Sequence, residues 1–114
     1  IIITYLSKND IVYKGEKMIK HVVCFKLKDN SDDAKERATN VLLSMITKVP
    51  TIWGIEVGQN VLNTPRSYDL ILQVVVEDLK KLEEYQNDPY HVNVVKKYMH
   101  AHVESSVAID YEIQ

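Results

Sequence analysis

Hydrophobic positions along the chain change period several times, and each change predicts an element. From Ile19 to Leu27 the residues alternate, with Ile19, His21, Val23, Phe25 and Leu27 on one side and Lys20, Val22, Cys24 and Lys26 on the other. That two-residue period predicts a first strand. Ser31 then precedes the acidic pair Asp32 and Asp33, a cap followed by the charges that a helix N-terminus favours. Ala34, Ala38, Val41, Leu42, Met45 and Val49 recur at helical spacing until Pro50 stops them. Alternation returns over 52–61 through Trp53, Ile55, Val57 and Val61, and the interruptions at Gly54 and Gly58 predict a bend or bulge in this second strand. After the turn-rich run Asn63-Thr64-Pro65-Arg66-Ser67, a third strand presents Tyr68, Leu70, Leu72, Val74 and Val76 on one face. Asp78 caps a second helix with Leu79, Leu82 and Tyr85 inward, and Asp88-Pro89 restarts it towards about Tyr98. A fourth strand alternates Val103, Val107, Ile109, Tyr111 and Ile113 with Glu104, Ser106, Ala108, Asp110 and Glu112.

The order is βαββαβ, an α+β, ferredoxin-like layout in which right-handed crossovers put both helices on the same face of an antiparallel sheet. The other face is left bare. Val22, Cys24, Ile71, Val75 and Ala108 are expected there, opposite the strongly apolar positions, and a half-apolar face invites a partner. The simplest cover is a second copy packed sheet to sheet about a two-fold axis, a homodimeric α/β barrel. The alternative is a monomer whose lysine stems shield these side chains.

Composition narrows the classes. The chain has 114 residues, 46% hydrophobic and 26% charged, enough for one domain with one modest core. A formal charge of -2, with lysines scattered among acids, offers no basic stripe, so no nucleic-acid partner is expected. The apolar runs are too short to span a bilayer, so no membrane segment is expected either. Cys24 is the single cysteine. It allows no intrachain disulfide and no thiolate metal cluster, and it fits a reducing cytoplasm. Residues 1–17 have no clear tie to the pattern that begins at Met18. Lys14-Gly15-Glu16-Lys17 can be encoded by a purine-rich string containing a bacterial ribosome-binding sequence, so 1–17 is expected to be translated leader or an extra N-terminal segment, with the domain over 18–114. The β-prone stretches 1–6 and 11–13 could instead add an edge strand.

Three stretches carry a family resemblance: Met18-Ile19-Lys20-His21-Val22-Val23-Cys24-Phe25-Lys26-Leu27-Lys28, Gly58-Gln59-Asn60, and Tyr85-Gln86-Asn87-Asp88-Pro89-Tyr90-His91. Together they resemble the stress-responsive dimeric α/β-barrel (Dabb) family over Met18 to about Glu112. The resemblance implies a ferredoxin-like dimeric barrel, and most bacterial members have no assigned reaction. A plant polyketide cyclase of the family uses a histidine on its first strand and a Tyr/His pair in its second helical region, which fall on His21, Tyr85 and His91. Where that cyclase carries a further tyrosine, Leu43 stands here, a departure from its pattern.

The residue types give the positions marked by the resemblance a chemical reading. His21 lies on the helix-facing side of its strand among apolar neighbours, where burial favours the neutral ring. His91 stands at the third position after the Asp88 cap, near the positive end of a helix dipole that also disfavours the imidazolium, while Asp88 pulls the other way. Two neutral imidazoles and a phenol could exchange protons with an enolisable or phenolic ligand, with Tyr85 holding an oxygen. The bland alternative is a buried polar trio that satisfies its own hydrogen bonds. His100 and His102 have an H-x-H spacing but no third ligand nearby, so no metal is expected, and no cofactor. Cys24, without a partner base, reads as an inert thiol. The functions in view are therefore a protein binding a small apolar or aromatic molecule between sheet and helices, a non-enzymatic stress-response or interaction dimer, and an enzyme akin to the polyketide cyclase or to the cofactor-free monooxygenases among related barrels. Whether it is an enzyme stays open.

Overall fold

A computed structural model of the chain describes residues 2–5 and 17–113. Five strands, β1 (Ile2–Tyr5), β2 (Ile19–Leu27), β3 (Gly54–Gln59), β4 (Leu70–Val76) and β5 (Val103–Glu112), form one antiparallel sheet in the order β1-β3-β4-β2-β5. Helix α1 (Asp32–Leu43) and the short α2 (Met45–Lys48) connect β2 to β3; α3 (Leu79–Asn87), a π-helical turn (His91–Lys96) and α4 (Lys97–His102) connect β4 to β5. Strands β2 to β5 with their helical crossovers are the ferredoxin-like βαββαβ unit, and β1 extends it at the β3 edge. The reading of 1–17 as leader falls largely on 6–16, outside the described residues.

The predicted caps form. Ser31 Oγ accepts from the Ala34 amide at 3.2 Å, and Asp78 Oδ1 accepts from the Lys81 amide at 2.8 Å. Each satisfies one of the donors that a helix start leaves without an intrahelical acceptor. The first helix, expected to run unbroken to Val49, divides at Ser44. The Ser44 hydroxyl donates to the Val41 carbonyl at 2.6 Å and lies 2.7 Å from the Tyr90 hydroxyl, which therefore donates to it. Ser44 thus ties the helical break to the residue preceding the π-helical turn.

The core lies between the helices and one face of the sheet. Ile55, Val57, Leu72 and Val74 from the sheet meet Leu42, Met45, Tyr85 and Val95 from above, all nearly or fully buried. Asp69, which the sequence pattern leaves on the side of the third strand opposite Tyr68 and Leu70, is buried just before β4. Its carboxylate accepts from the Leu27 amide at 2.7 Å, its amide donates to the Phe25 carbonyl at 2.8 Å, and its carbonyl accepts from the Asn60 amide at 2.9 Å. One side chain and its backbone thereby fasten the ends of three strands.

Three expectations need correction. Gly54 and Gly58 make no bulge: β3 pairs with β4 in unbroken register from Gly54 to Gln59. A Cβ on Gly58 would come within 3.1 Å of Ile71 Cγ2, so close strand contact accounts for that glycine. Leu79, the first residue of α3, is not inward but 66% exposed, whereas Leu82 and Tyr85, a turn or more further on, are buried as expected. Ala108 lies on the helix-facing side. It pairs with Val23, just as Ser106 pairs with Phe25 and Asp110 with His21, and directly paired residues share a face. The strongly apolar side of β5, with Val107, Ile109 and Tyr111, consequently lies on the open face beside Val22 and Cys24. These three are 51%, 66% and 45% exposed, so the open face is more apolar than the pattern implied.

Candidate functional site

Beneath the second helical stretch the sheet and helices part to leave a cavity of about 720 Å³. Its floor is Val23 and Phe25 of β2 and Leu72 of β4, and Leu42 of α1 closes one side. Across from these stand Tyr85, His91, Val95, Lys96, Met99 and His100, while Glu104, Ser105 and Ser106 of β5 complete the rim. The three residues anticipated from the sequence, His21, Tyr85 and His91, all line it.

The trio forms a row of rings. The centroids of His21 and Tyr85 are 5.7 Å apart, edge to face at 60°, and those of Tyr85 and His91 are 4.6 Å apart, tilted by 32°. Tyr85 is completely buried, and burial raises its phenol well above the ordinary tyrosine value, so it stays protonated throughout the working range. Its hydroxyl donates to Met45 Sδ at 3.7 Å. The expected role of holding a ligand's oxygen is therefore competed for by a thioether inside the protein, and Tyr85 acts in this arrangement as the spacer between two imidazoles.

Each histidine has its Nδ1 fixed by a different partner. His21 Nδ1 lies 2.5 Å from Asp110 Oδ1, and His91 Nδ1 lies 3.2 Å from the Gln86 carbonyl oxygen. A carbonyl oxygen only accepts, so the His91 proton is on Nδ1, and a carboxylate acceptor places the His21 proton likewise. Nε2 of each ring is then the nitrogen left to meet a ligand. For His91 burial is the main influence holding the ring below the ordinary histidine value; the charges of Lys96 and His21 act in the same direction, and the Gln86 carbonyl and Asp88 oppose it. The neutral His91 expected from the sequence thus arises from desolvation first. Asp88 accepts from the Tyr90 amide at 2.8 Å and the His91 amide at 3.3 Å, the cap that starts the turn carrying His91.

Sequence reasoning missed Asp110 and Lys96, and weighed His100 only as half of an H-x-H spacing. Asp110 reads as an ordinary polar residue of an alternating strand until the β2–β5 register sets it opposite His21. Lys96 and His100 reach the rim through a π-helical turn that a search at α-helical spacing does not find. His102, its H-x-H partner, points elsewhere: its Nδ1 donates to the Tyr98 carbonyl at 2.8 Å and its ring stacks on Tyr98 at 4.1 Å. The segment is helical rather than extended, and residues two apart on a helix do not share a side. Among the described residues, no three His, Cys, Asp or Glu side chains converge as a metal site.

A ferredoxin-like sheet with helices on one face, a bare apolar second face and a histidine-lined cavity under the second crossover defines a small α/β-barrel domain. The model of the stress responsive A/B barrel domain family, Dabb, matches residues 19–113, and the chain belongs to that family. It is similar to a dimeric protein of unknown function with a ferredoxin-like fold from Bacteroides fragilis, at 30% identity over 84% of this chain and 96% of that one, with a TM-score of 0.69. It shares its fold with a Dabb family protein from Mesorhizobium loti (23% identity, 87% and 99% coverage, TM-score 0.74). The same holds for a hydroxynitrile lyase from Passiflora edulis (13% identity, 86% and 94% coverage, TM-score 0.73). No curated protein matches the chain. Among the described residues, no helix is long and apolar enough to cross a membrane.

Proposed function

We propose that the protein is a homodimer that binds a small, largely apolar or aromatic molecule in the cavity between sheet and helices, with His21 and His91 at the polar side and Tyr85 between them. The observation that carries this reading is a cavity of about 720 Å³ that reaches both imidazole rings. Ligand sites typically occupy roughly 300–1,000 Å³, lined mainly by apolar side chains with a few converging polar groups. His21, Tyr85 and His91 packed solid would serve only their own hydrogen bonds; here both imidazoles border open space, and each commits its Nδ1 to a protein acceptor, leaving Nε2 to a ligand. The open face, with Val107, Ile109 and Tyr111 exposed, supports association through the sheet, as does the dimeric description of the Bacteroides relative.

A second reading, proton-transfer catalysis, is favoured by the His21–Asp110 pair. When Nε2 of such a ring takes a proton from a ligand, a carboxylate on Nδ1 holds the ring in place and offsets the positive charge that develops. Proton transfer also suits the hydroxynitrile lyase activity named for the Passiflora protein of this fold.

A thermal-shift screen of small apolar and aromatic compounds tests the binding reading. A compound present at ten times its Kd adds about 1.4 kcal/mol of stability, which raises the Tm of a domain this size by roughly 5 °C. His91→Ala should remove that gain. A screen without a single shift, or shifts that His91→Ala leaves intact, would favour a dimer whose histidines are structural.

A further inference from the structure

The cavity rim carries one lysine, and the backbone departs from α-helical geometry where it places that lysine. We propose that Lys96 anchors an anionic group, a carboxylate, on the molecule that occupies the cavity. This deepens the ligand-binding reading and rests on it.

The first observation is the turn itself. His91–Lys96 is a π-helical segment between two α-helical ones. At about 3.6 residues per turn, an α-helix would carry position i+5 about 140° around the axis from position i. The i→i+5 ladder of a π-helical turn instead brings the two closer, and such turns, rare overall, are frequent at functional sites. Here the pair is His91 and Lys96, and both line the cavity. The positive charge of Lys96 is among the influences that hold the His91 ring below the ordinary histidine value, after burial.

The second observation is the lack of a countercharge. Among the residues lining the cavity Lys96 is the one lysine or arginine and Glu104 the one acid, and among the described residues Lys96 forms no ion pair. The other nearby carboxylate, Asp110, is taken by His21. Lys96 is exposed at the mouth, so its ammonium is solvated and free to turn inward. The Ser106 hydroxyl, on the helix-facing side opposite Phe25, supplies a further donor on the same rim. Below them the lining becomes apolar through Val23, Phe25, Leu42 and Leu72. A molecule matched to this gradient has an acidic head at the mouth and a hydrocarbon or aryl body on the floor, with its middle atoms beside the two imidazoles.

The test compares acids with neutral isosteres. Protein labelled with nitrogen-15 is titrated with octanoate and 4-phenylbutyrate and with octanamide and 4-phenylbutanamide, and binding is followed through the amides around His21 and His91. The acids should bind about tenfold tighter than the amides, the size expected of one partly exposed charge-assisted contact. Lys96→Met and Lys96→Gln should abolish that difference without weakening the amides, and Lys96→Arg should keep it. Amides that bind as tightly as acids, or a preference for acids that survives Lys96→Met, would overturn the role of Lys96 and leave the cavity reading standing. If neither series perturbs the site, the cavity reading fails and this inference with it.

Discussion

Ile109 offers the sharpest test of how the open face is covered. It sits mid-strand on β5, the sheet's edge, and is 66% exposed in the single chain. Fully burying an isoleucine side chain is worth roughly 1.5–3 kcal/mol, so burying the exposed two-thirds contributes about 1–2 kcal/mol per subunit. A two-fold interface contains the residue twice, giving about 2–4 kcal/mol per dimer. Ile109→Glu removes this contribution and adds two carboxylates to be desolvated, so the dimer should weaken by at least about 30-fold. Leu79 supplies a matched control. It is also 66% exposed, but it lies on α3, on the helical side of the sheet. Sedimentation velocity and light scattering over a dilution series should show the wild type and Leu79→Glu as dimers where Ile109→Glu is already monomeric, with circular dichroism confirming that all three are folded. A wild type that runs as a lone subunit at micromolar concentration would refute the reasoning, and so would an Ile109→Glu dimer as tight as the wild type.

Three further outcomes follow from the site and its supports. The His91 ring should titrate below 6.5, the ordinary value, when followed by its ring proton resonances; a midpoint at or above that value would contradict the burial that lowers it. With its folded value depressed, His91 contributes stability that is fully present above the unfolded value and is lost as pH falls from about 6.5 towards the lowered folded value, so His91→Gln should flatten that part of the stability–pH curve in urea titrations. Asp69→Ala should cost about 1–3 kcal/mol in the same assay, because it strips a buried Leu27 amide of its acceptor. A loss within a few tenths of a kcal/mol would mean that water replaces the carboxylate.

The elements were legible in the sequence wherever a local rule decided them. Alternation over 19–27 and 103–113, the caps at Ser31 and Asp78 and the restart at Asp88 all rest on neighbours within four residues, and the structure forms each of them. What the pattern could not supply was pairing register. The strongly apolar side of β5 was free to face either way until its bonding to β2 set Val107, Ile109 and Tyr111 on the open side. A one-residue slip exchanges the two faces of a strand, and nothing within 103–113 fixes it.

The same register determines the candidate site. His21, Tyr85 and His91 were recognisable because the family resemblance marks those positions and because His21 interrupts an apolar face. Asp110 becomes informative only once β5 runs antiparallel to β2 with His21 opposite it, 89 residues away along the chain. Lys96 depends on a different long-range cause. The Asp88 cap begins the helical restart, the Tyr90 hydroxyl bonds to Ser44 at the break in the first helical stretch, and the buried Val95 and Met99 hold the remainder against the core. Fixed at both ends, His91–Lys96 takes the wider π-helical turn, which no propensity of His-Val-Asn-Val-Val-Lys would predict by itself. Locally encoded elements therefore supply the walls of the cavity, and tertiary contacts choose which of their polar side chains face into it.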